Sequence, residues 1–135
     1  MTGLQRTSDK NRMRIYLVDD EPIVNKTLQE FLFELGHEIV SIRAAYELLG
    51  NLEKEPHPVD LIIADFCMTK GNAVTMIRKV HEQYPGIAIV LMTVGSLLLP
   101  TAEAISYGVY AYLRKPIRLA ELELLLARLS DSTTN

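Results

Sequence analysis

Short apolar runs alternate along the chain with longer segments in which apolar residues recur every three or four positions. A continuous apolar run predicts a strand buried on both faces, and the wider spacing predicts a helix with one buried face. The predicted strands cover residues 14–18, 38–42, 60–64, 87–91 and 109–113. The predicted helices cover residues 22–35, 45–52, 72–84, 101–107 and 119–129.

This strict alternation predicts an α/β fold, a doubly wound five-stranded parallel sheet with helices on both faces. The predicted domain covers residues 14–129. Residues 1–13 are polar and mixed in charge, which favours a flexible N-terminal extension, and residues 130–135 are predicted to form a polar tail.

The composition is that of one globular domain, with 135 residues of which 48% are hydrophobic and 23% charged. The net charge of −3 argues against direct binding of nucleic acid, for which a basic domain is usual. No apolar run is long enough for a membrane span, and the single cysteine, Cys67, fits a reducing compartment, so we expect a cytoplasmic protein without membrane contact. The three histidines (His37, His57 and His81) have no metal-ligand spacing and are predicted to be surface or turn residues.

Polar residues of complementary chemistry stand where four of the predicted strands end. Asp19 and Asp20 follow the first strand and Asp65 follows the third. Thr93 and Lys115 follow the fourth and fifth strands. Because the carboxyl ends of parallel strands meet at one edge of the sheet, we expect these side chains to converge there. Simple caps on strand ends, the alternative interpretation, would not need this combination of groups.

Such a cluster has a specific chemistry. Neighbouring carboxylates repel one another unless a cation joins them, and their hard oxygen atoms suit Mg²⁺. A carboxylate beside that ion can attack phosphorus and become an aspartyl-phosphate. Phosphoryl transfer needs mainly positioning and neutralisation of charge, to which an ammonium and a hydroxyl can contribute. The cluster therefore predicts a carboxylate that accepts a phosphoryl group.

The same residues carry a resemblance to a known family. The residues in question are Val18-Asp19-Asp20-Glu21-Pro22, Asp65 followed by Met68, Met92-Thr93, Tyr112 and Lys115-Pro116. With them the sequence resembles the receiver domain of bacterial two-component response regulators over nearly the whole chain. The resemblance implies a flavodoxin-like sheet of strand order 2-1-3-4-5 and a cis peptide bond before Pro116.

The resemblance also implies roles for individual residues. Asp65 would accept a phosphoryl group from a phosphohistidine on a sensor histidine kinase or a phosphotransfer protein. Mg²⁺ would be bound directly by Asp20, Asp65 and the backbone carbonyl of Cys67, and by Asp19 through water. Lys115 would contact the phosphoryl group. On this basis the chain would be a phosphoprotein of a phosphorelay, catalysing only its own phosphorylation and dephosphorylation, and not a metabolic enzyme.

The implied switch connects the acceptor to a protein surface. Thr93 would be drawn toward the new phosphoryl group, and the ring of Tyr112 would fill the space that it leaves. The surface formed by the fourth helix, the fifth strand and the fifth helix would then change shape. A symmetric homodimer through that surface is a further expectation. A plain half-buried aromatic is the alternative interpretation of Tyr112.

Some positions depart from the family pattern. Thr69 stands where the family usually has Pro, and Ala73 where it usually has Gly. Residues 97–99 are three consecutive leucines in a loop that is usually more polar, which predicts either a contact surface or a segment folded onto the core. Cys67 and Gly95 are both small and leave access to the acceptor open.

Two other functions are alternatives to the phosphoacceptor switch. A pseudo-receiver would keep the fold as a protein-interaction module without responding to phosphorylation, but every chemical residue is retained. A phosphohydrolase with an aspartyl nucleophile would need a general acid near Asp65, and Cys67 stands where such enzymes commonly have one. A stand-alone receiver and a part of a longer regulator both stay open, as do the signal, the kinase and the regulated process.

Overall fold

The computed structural model describes residues 12–65, 73–94 and 108–133. The strands are β1 (Arg14–Val18), β2 (Glu38–Ile42), β3 (Leu61–Asp65), β4 (Ala88–Thr93) and β5 (Val109–Arg114). The helices of the described residues are α1 (Pro22–Glu34), α2 (Leu48–Lys54), α3 (Ala73–Gln83) and α4 (Leu119–Thr133), with a single 3₁₀ turn at Ala45–Glu47.

All strands pair in parallel, in the order β2-β1-β3-β4-β5. This confirms the predicted sheet and its flavodoxin-like order. The chain moves outward from β1 to β2, then crosses to the other side of β1 to form β3. The carboxyl ends of β1 and β3 therefore flank the point where the strand order reverses, which is where ligands bind in open α/β sheets.

Two apolar cores cover the two faces of the sheet. One packs α1 and α4 against the sheet and includes Leu32 and Leu126. The other packs α2 and α3 against the opposite face and includes Leu52 and Val80. All five residues of β3 are buried, which explains why its sequence is a nearly continuous apolar run.

The C-terminal helix is longer than predicted. The pattern placed its end at residue 129 and a polar tail from 130, whereas α4 runs to Thr133. Ser130 is only 5% exposed, so this polar residue lies in the packed face of the helix. The prediction of a tail was wrong for residues 130–133, because polar residues can continue a helix in which their backbone groups are hydrogen-bonded.

The first turns of two helices project beyond the core. The helical spacing of apolar residues predicts Ile23 and Leu119 on buried faces, but they are 81% and 37% exposed. Burial in α1 begins at Asn25, and in α4 at Leu122. Helical spacing locates the buried face but not how far along the helix the neighbouring elements extend.

His37 is buried, contrary to the prediction of a surface or turn residue. It follows Gly36, whose φ of 99° ends α1, and it turns inward with 2% exposure. Its Nδ1 accepts a hydrogen bond from the backbone N–H of Met13 at 3.0 Å. Burial lowers the pKa of the His37 imidazole below its ordinary value, so the neutral form is favoured in the folded protein.

Several sequence predictions lie outside the described residues. They are the N-terminal extension up to residue 11, the loop with Cys67, Met68, Thr69 and Gly71, and the segment with Gly95, the leucines 97–99 and the predicted helix 101–107. Within the described ranges, every helix is too short or too polar to cross a lipid bilayer.

Candidate functional site

The strand register brings the predicted site residues to one edge of the sheet. Val18 of β1 pairs with Ala64 of β3, so Asp19 and Asp65 follow paired residues on neighbouring strands. Asp65 in turn pairs with Met92, the residue before Thr93. Thr93 pairs with Arg114 of β5, the residue before Lys115. The convergence expected from the topology is therefore present for Asp19, Asp65, Thr93 and Lys115.

Three carboxylates form a cluster at this edge. One oxygen each of Asp19, Glu21 and Asp65 lies within 4.8 Å of the others. Asp19 and Asp65 are 1% and 3% exposed, whereas Glu21 is exposed. Buried carboxylates at this spacing repel one another, so the cluster needs positive charge nearby.

Lys115 supplies a positive charge to the cluster. Its Nζ donates hydrogen bonds of 2.7 Å to Oδ2 of Asp65 and to Oε1 of Glu21, and lies 4.0 Å from Oδ2 of Asp19. Burial acts to lower the pKa of the Lys115 ammonium, but its hydrogen bonds to Asp65 and Glu21 outweigh burial and raise its pKa above the ordinary value. The lysine is therefore a fixed cation between two carboxylates.

The backbone around Lys115 sets the direction of its side chain. The peptide bond between Lys115 and Pro116 is cis, as the resemblance implied. The N–H of Lys115 donates to the carbonyl of Thr93 at 2.8 Å, which ties the loop after β5 to the end of β4. From this position beside β4, the ammonium reaches Glu21 after β1 and Asp65 on β3.

The two carboxylate oxygens of Asp19 differ in their hydrogen bonding among the described residues. Its Oδ1 accepts a hydrogen bond from the backbone N–H of Glu21 at 2.8 Å. Its Oδ2 is buried and has no hydrogen-bond partner within the described ranges. Burial raises the pKa of the Asp19 carboxyl, and the neighbouring Asp65 adds to this rise, while the Glu21 N–H and Lys115 oppose it. The second oxygen is thus an orphaned acceptor facing the cluster.

Thr93 places a hydroxyl at the carboxyl end of β4. The residue is fully buried, and its Oγ1 forms no hydrogen bond to any residue that the structure describes. A buried hydroxyl is stabilised when it donates a hydrogen bond to an acceptor. A phosphoryl oxygen at the sheet edge would be a suitable acceptor.

Tyr112 lies on β5, which β4 separates from the strand of Asp65. It is half-buried and packs against the core beneath α2 and α3. Beside it, a cleft of about 410 Å³ is lined by Arg114, Arg118 and Glu121. The ring is therefore placed between the core and an open surface, and its role in a switch stays a prediction.

The donor set fits a small divalent cation. Three carboxylates, one of which has an orphaned buried oxygen, are hard ligands of the kind that Mg²⁺ prefers. Glu21 was not assigned to the site from the sequence, although its position two residues after Asp19 placed it near the strand end. The predicted carbonyl ligand, Cys67, lies outside the described residues.

Asp20 is not brought into the carboxylate cluster. It is exposed and lines an adjoining polar cleft of about 280 Å³ together with Lys26 and Arg43. Of the two acidic residues after β1, the structure therefore brings Asp19 to Asp65 and turns Asp20 outward. Direct binding of Mg²⁺ by Asp20 stays a prediction.

Comparison with known sequences identifies a family. The family model described as the response regulator receiver domain matches residues 15–127. The probable C4-dicarboxylate response regulator DctR of Halalkalibacterium halodurans is 29% identical over 122 residues, covering 88% of this chain and 52% of that protein. The DNA-binding transcriptional regulator NtrC of Azospirillum brasilense is 29% identical over 120 residues, covering 89% of this chain and 24% of that protein. The chain thus spans about half of the first relative and a quarter of the second.

Comparison with solved structures gives the same result. The signal receiver domain of an HD domain-containing protein from Pseudomonas fluorescens Pf-5 aligns with a TM-score of 0.79 at 30% identity, covering 96% of this chain and 94% of that one. A response regulator receiver domain protein from Clostridium thermocellum aligns with a TM-score of 0.80 at 22% identity, covering 90% and 96%. At that lower identity the second alignment supports the fold alone.

Proposed function

Since the chain belongs to the family of response regulator receiver domains, we propose that it is a phosphoacceptor switch in which Asp65 receives a phosphoryl group. The observation that carries this proposal is the contact between Asp65 and Lys115. A buried carboxylate is held by an ammonium at 2.7 Å, beside two further carboxylates and a buried hydroxyl that has no hydrogen-bond partner among the described residues. We assign the phosphoryl donor to a histidine of a sensor kinase or a phosphotransfer protein.

In the transfer step, a carboxylate oxygen of Asp65 attacks the phosphorus of the phosphohistidine. The new O–P bond forms as the N–P bond breaks, and the departing imidazole takes up a proton. Lys115 neutralises charge on the transferred group from its place next to Asp65. This activity is confined to the chain's own phosphorylation and dephosphorylation, so we do not regard the protein as a metabolic enzyme.

Mg²⁺ is the cofactor that we assign to this site. Asp19 and Asp65 are the buried ligands at hand, Glu21 lies in the same cluster, and Asp20 and the carbonyl of Cys67 are the further ligands implied by the family. The ion would neutralise negative charge on the acceptor and the phosphoryl group. Asp19 contributes an oxygen that has no competing hydrogen bond in the described part of the chain.

The output of the switch follows from Thr93. Its buried hydroxyl has no acceptor in the described residues, and a phosphoryl group on Asp65 would provide one. Movement of Thr93 would alter the packing of the half-buried Tyr112. We propose that the surface around β5 and α4 changes in consequence and that a homodimer or another protein partner reads this change.

A groove beside the cluster is the surface that we assign to the phosphoryl donor. It has a volume of about 520 Å³ and lies between α1 and the loop from β5 to α4. Ile23, Pro116 and Leu119 line it, and Glu21 and Lys115 of the cluster form its polar end. Exposed apolar side chains next to the acceptor suit an apolar helix face of the donor protein, which would bring its phosphohistidine to Asp65.

Mass spectrometry of the intact protein tests the proposal. After incubation with Mg²⁺ and acetyl phosphate, the wild type is expected to gain one phosphoryl group. Asp65→Asn should abolish the gain. Asp60→Asn is the matched control, because Asp60 lies just before the opposite end of the same strand, where Oδ2 accepts the N–H of Arg14 at 2.9 Å. A folded wild type that gains nothing would contradict the proposal and favour a pseudo-receiver that acts by protein contact alone.

A further inference from the structure

Asn25 binds both ends of the acidic loop, which we define as residues 19–21. Its backbone N–H donates to the carbonyl of Glu21 at 2.9 Å. Its side-chain Nδ2 donates to the carbonyl of Asp19 at 3.1 Å. Asn25 is only 7% exposed, so these are buried contacts on α1. One residue thus holds the two carbonyls on either side of Asp20.

Asn25 is in turn held from the neighbouring strand. Oγ of Ser41, on β2, donates to Oδ1 of Asn25 at 2.9 Å, and the side chain of Gln29 donates to the same oxygen. The next residue of β2, Ile42, accepts the backbone N–H of Asp19 at 3.1 Å. The acidic loop is therefore fastened to β2 by two routes, one direct and one through Asn25.

The hydrogen bonds of Asn25 fix the backbone of the acidic loop and are not needed for packing of the core. A buried amide is costly unless it is hydrogen-bonded, and an apolar side chain would fill this position of α1 without that requirement. The hydrogen bonds of Asn25 instead define the backbone from which the carboxylates of Asp19 and Glu21 extend. Groups that orient the ligands of a metal ion contribute about 10- to 100-fold to its affinity.

We propose that Asn25 is a positioning residue for the divalent cation, and that Ser41 supports it by fixing the Asn25 amide. The inference deepens the proposed function and rests on it, since it concerns the cation bound at Asp65. Asn25 does not touch the reacting atoms. It keeps the acidic loop in the conformation in which Oδ2 of Asp19 faces the cluster, so that little reorganisation is needed when the ion binds.

Calorimetric titration of the full chain with Mg²⁺, without a phosphoryl donor, tests this role. Asn25→Leu is expected to weaken Mg²⁺ binding about tenfold. At saturating Mg²⁺ its rate of phosphorylation by acetyl phosphate should return to within about twofold of the wild type, because affinity and not chemistry is impaired. In the metal-free protein, the Glu21 amide should exchange with solvent faster than in the wild type. Asn51→Leu is the control, since Asn51 also donates to a backbone carbonyl, that of Glu47 at 2.7 Å, but lies on α2 and not on the helix that follows the acidic loop.

The outcomes separate this inference from the proposed function. Wild-type Mg²⁺ affinity and Glu21 exchange in Asn25→Leu would overturn the inference, whatever the thermal stability of the variant. Ser41→Ala is the second variant in case Asn25→Leu does not fold. It removes only the supporting hydroxyl and is expected to weaken binding about twofold or more, and unchanged binding would again overturn the inference. A wild type that binds no Mg²⁺ would instead overturn the proposed function, and this inference with it.

Discussion

Nζ of Lys115 lies 2.7 Å from Oδ2 of Asp65, although 50 positions separate the two residues in the sequence. The same ammonium reaches Glu21, so it holds the acceptor and a second carboxylate together. A cation that approaches these carboxylates must share them with the lysine. The contact therefore links the stability of the metal-free protein to its affinity for Mg²⁺.

Replacement of Lys115 by Met should change stability and metal binding in opposite directions. Without Mg²⁺, loss of the ammonium beside the buried Asp65 should lower the free energy of unfolding by about 1–3 kcal/mol. Mg²⁺ should bind more tightly by roughly fivefold, since a competing positive charge worth about 1 kcal/mol is removed. Urea denaturation with and without Mg²⁺ measures both effects. Lys79→Met, on the exposed side of α3, should show neither, and weaker Mg²⁺ binding by Lys115→Met would contradict the competition.

Thr93→Val should leave the stability of the protein nearly unchanged but abolish the response of Tyr112 to phosphorylation. The substitution removes a buried hydroxyl that has no hydrogen bond within the described residues, so the free energy of unfolding should stay within about 1 kcal/mol of the wild type or rise. Phosphorylation of Asp65 should then no longer shift the NMR resonances of the Tyr112 ring. Thr93→Ser keeps the hydroxyl and should keep the response. A full Tyr112 response in Thr93→Val would rule out the hydroxyl as the link.

His37 should make the protein less stable in mild acid. Burial lowers the folded-state pKa of this imidazole, so between its ordinary value of 6.5 and the lower folded value the unfolded chain binds more protons. The stabilisation is complete above pH 6.5 and is lost as the pH falls through this window. We therefore expect the free energy of unfolding, measured by urea denaturation, to fall between pH 7 and pH 5.5.

His37→Gln should flatten that pH dependence, because glutamine does not titrate. Asp19, whose pKa is raised by burial, acts with the opposite sign but is present in both proteins, so the difference between them isolates His37. His57→Gln, in the exposed connector, is the control and should retain the wild-type slope. An identical slope in His37→Gln would show that another group is responsible.

Ile23→Ser should impair transfer from a protein donor but not from a small molecule. Ile23 is 81% exposed at the rim of the groove beside the acceptor, so its loss should not disturb the fold. If a donor protein buries this side chain, transfer should slow by about tenfold or more, since burial of an isoleucine contributes roughly 1.5–3 kcal/mol. The rate with acetyl phosphate should not change. Tyr46→Ser, 63% exposed and away from the groove, is the matched control. Equal slowing with both donors would place the defect at the acceptor itself.

The sequence by itself determined the sheet and most of its functional edge. A strand that is covered on both faces needs apolar side chains at successive positions. The runs of consecutive apolar residues therefore locate β3 and β4. Parallel strands end at one edge of the sheet, and this topology predicts that Asp19, Asp65 and Lys115 lie close together. The order of the strands came from the family resemblance, because the apolar pattern does not encode which strands are neighbours.

Only the tertiary structure decided which side chains of the acidic loop face the cluster. The chain order Asp19-Asp20-Glu21 treats the three carboxylates alike, but the structure gathers Asp19 and Glu21 and turns Asp20 outward. That choice depends on hydrogen bonds to α1 and β2 that no local pattern contains. The burial of His37 and Ser130 also depends on tertiary packing that the local sequence pattern does not contain. A side chain's environment is set by the elements that pack around it, and these come from distant parts of the chain.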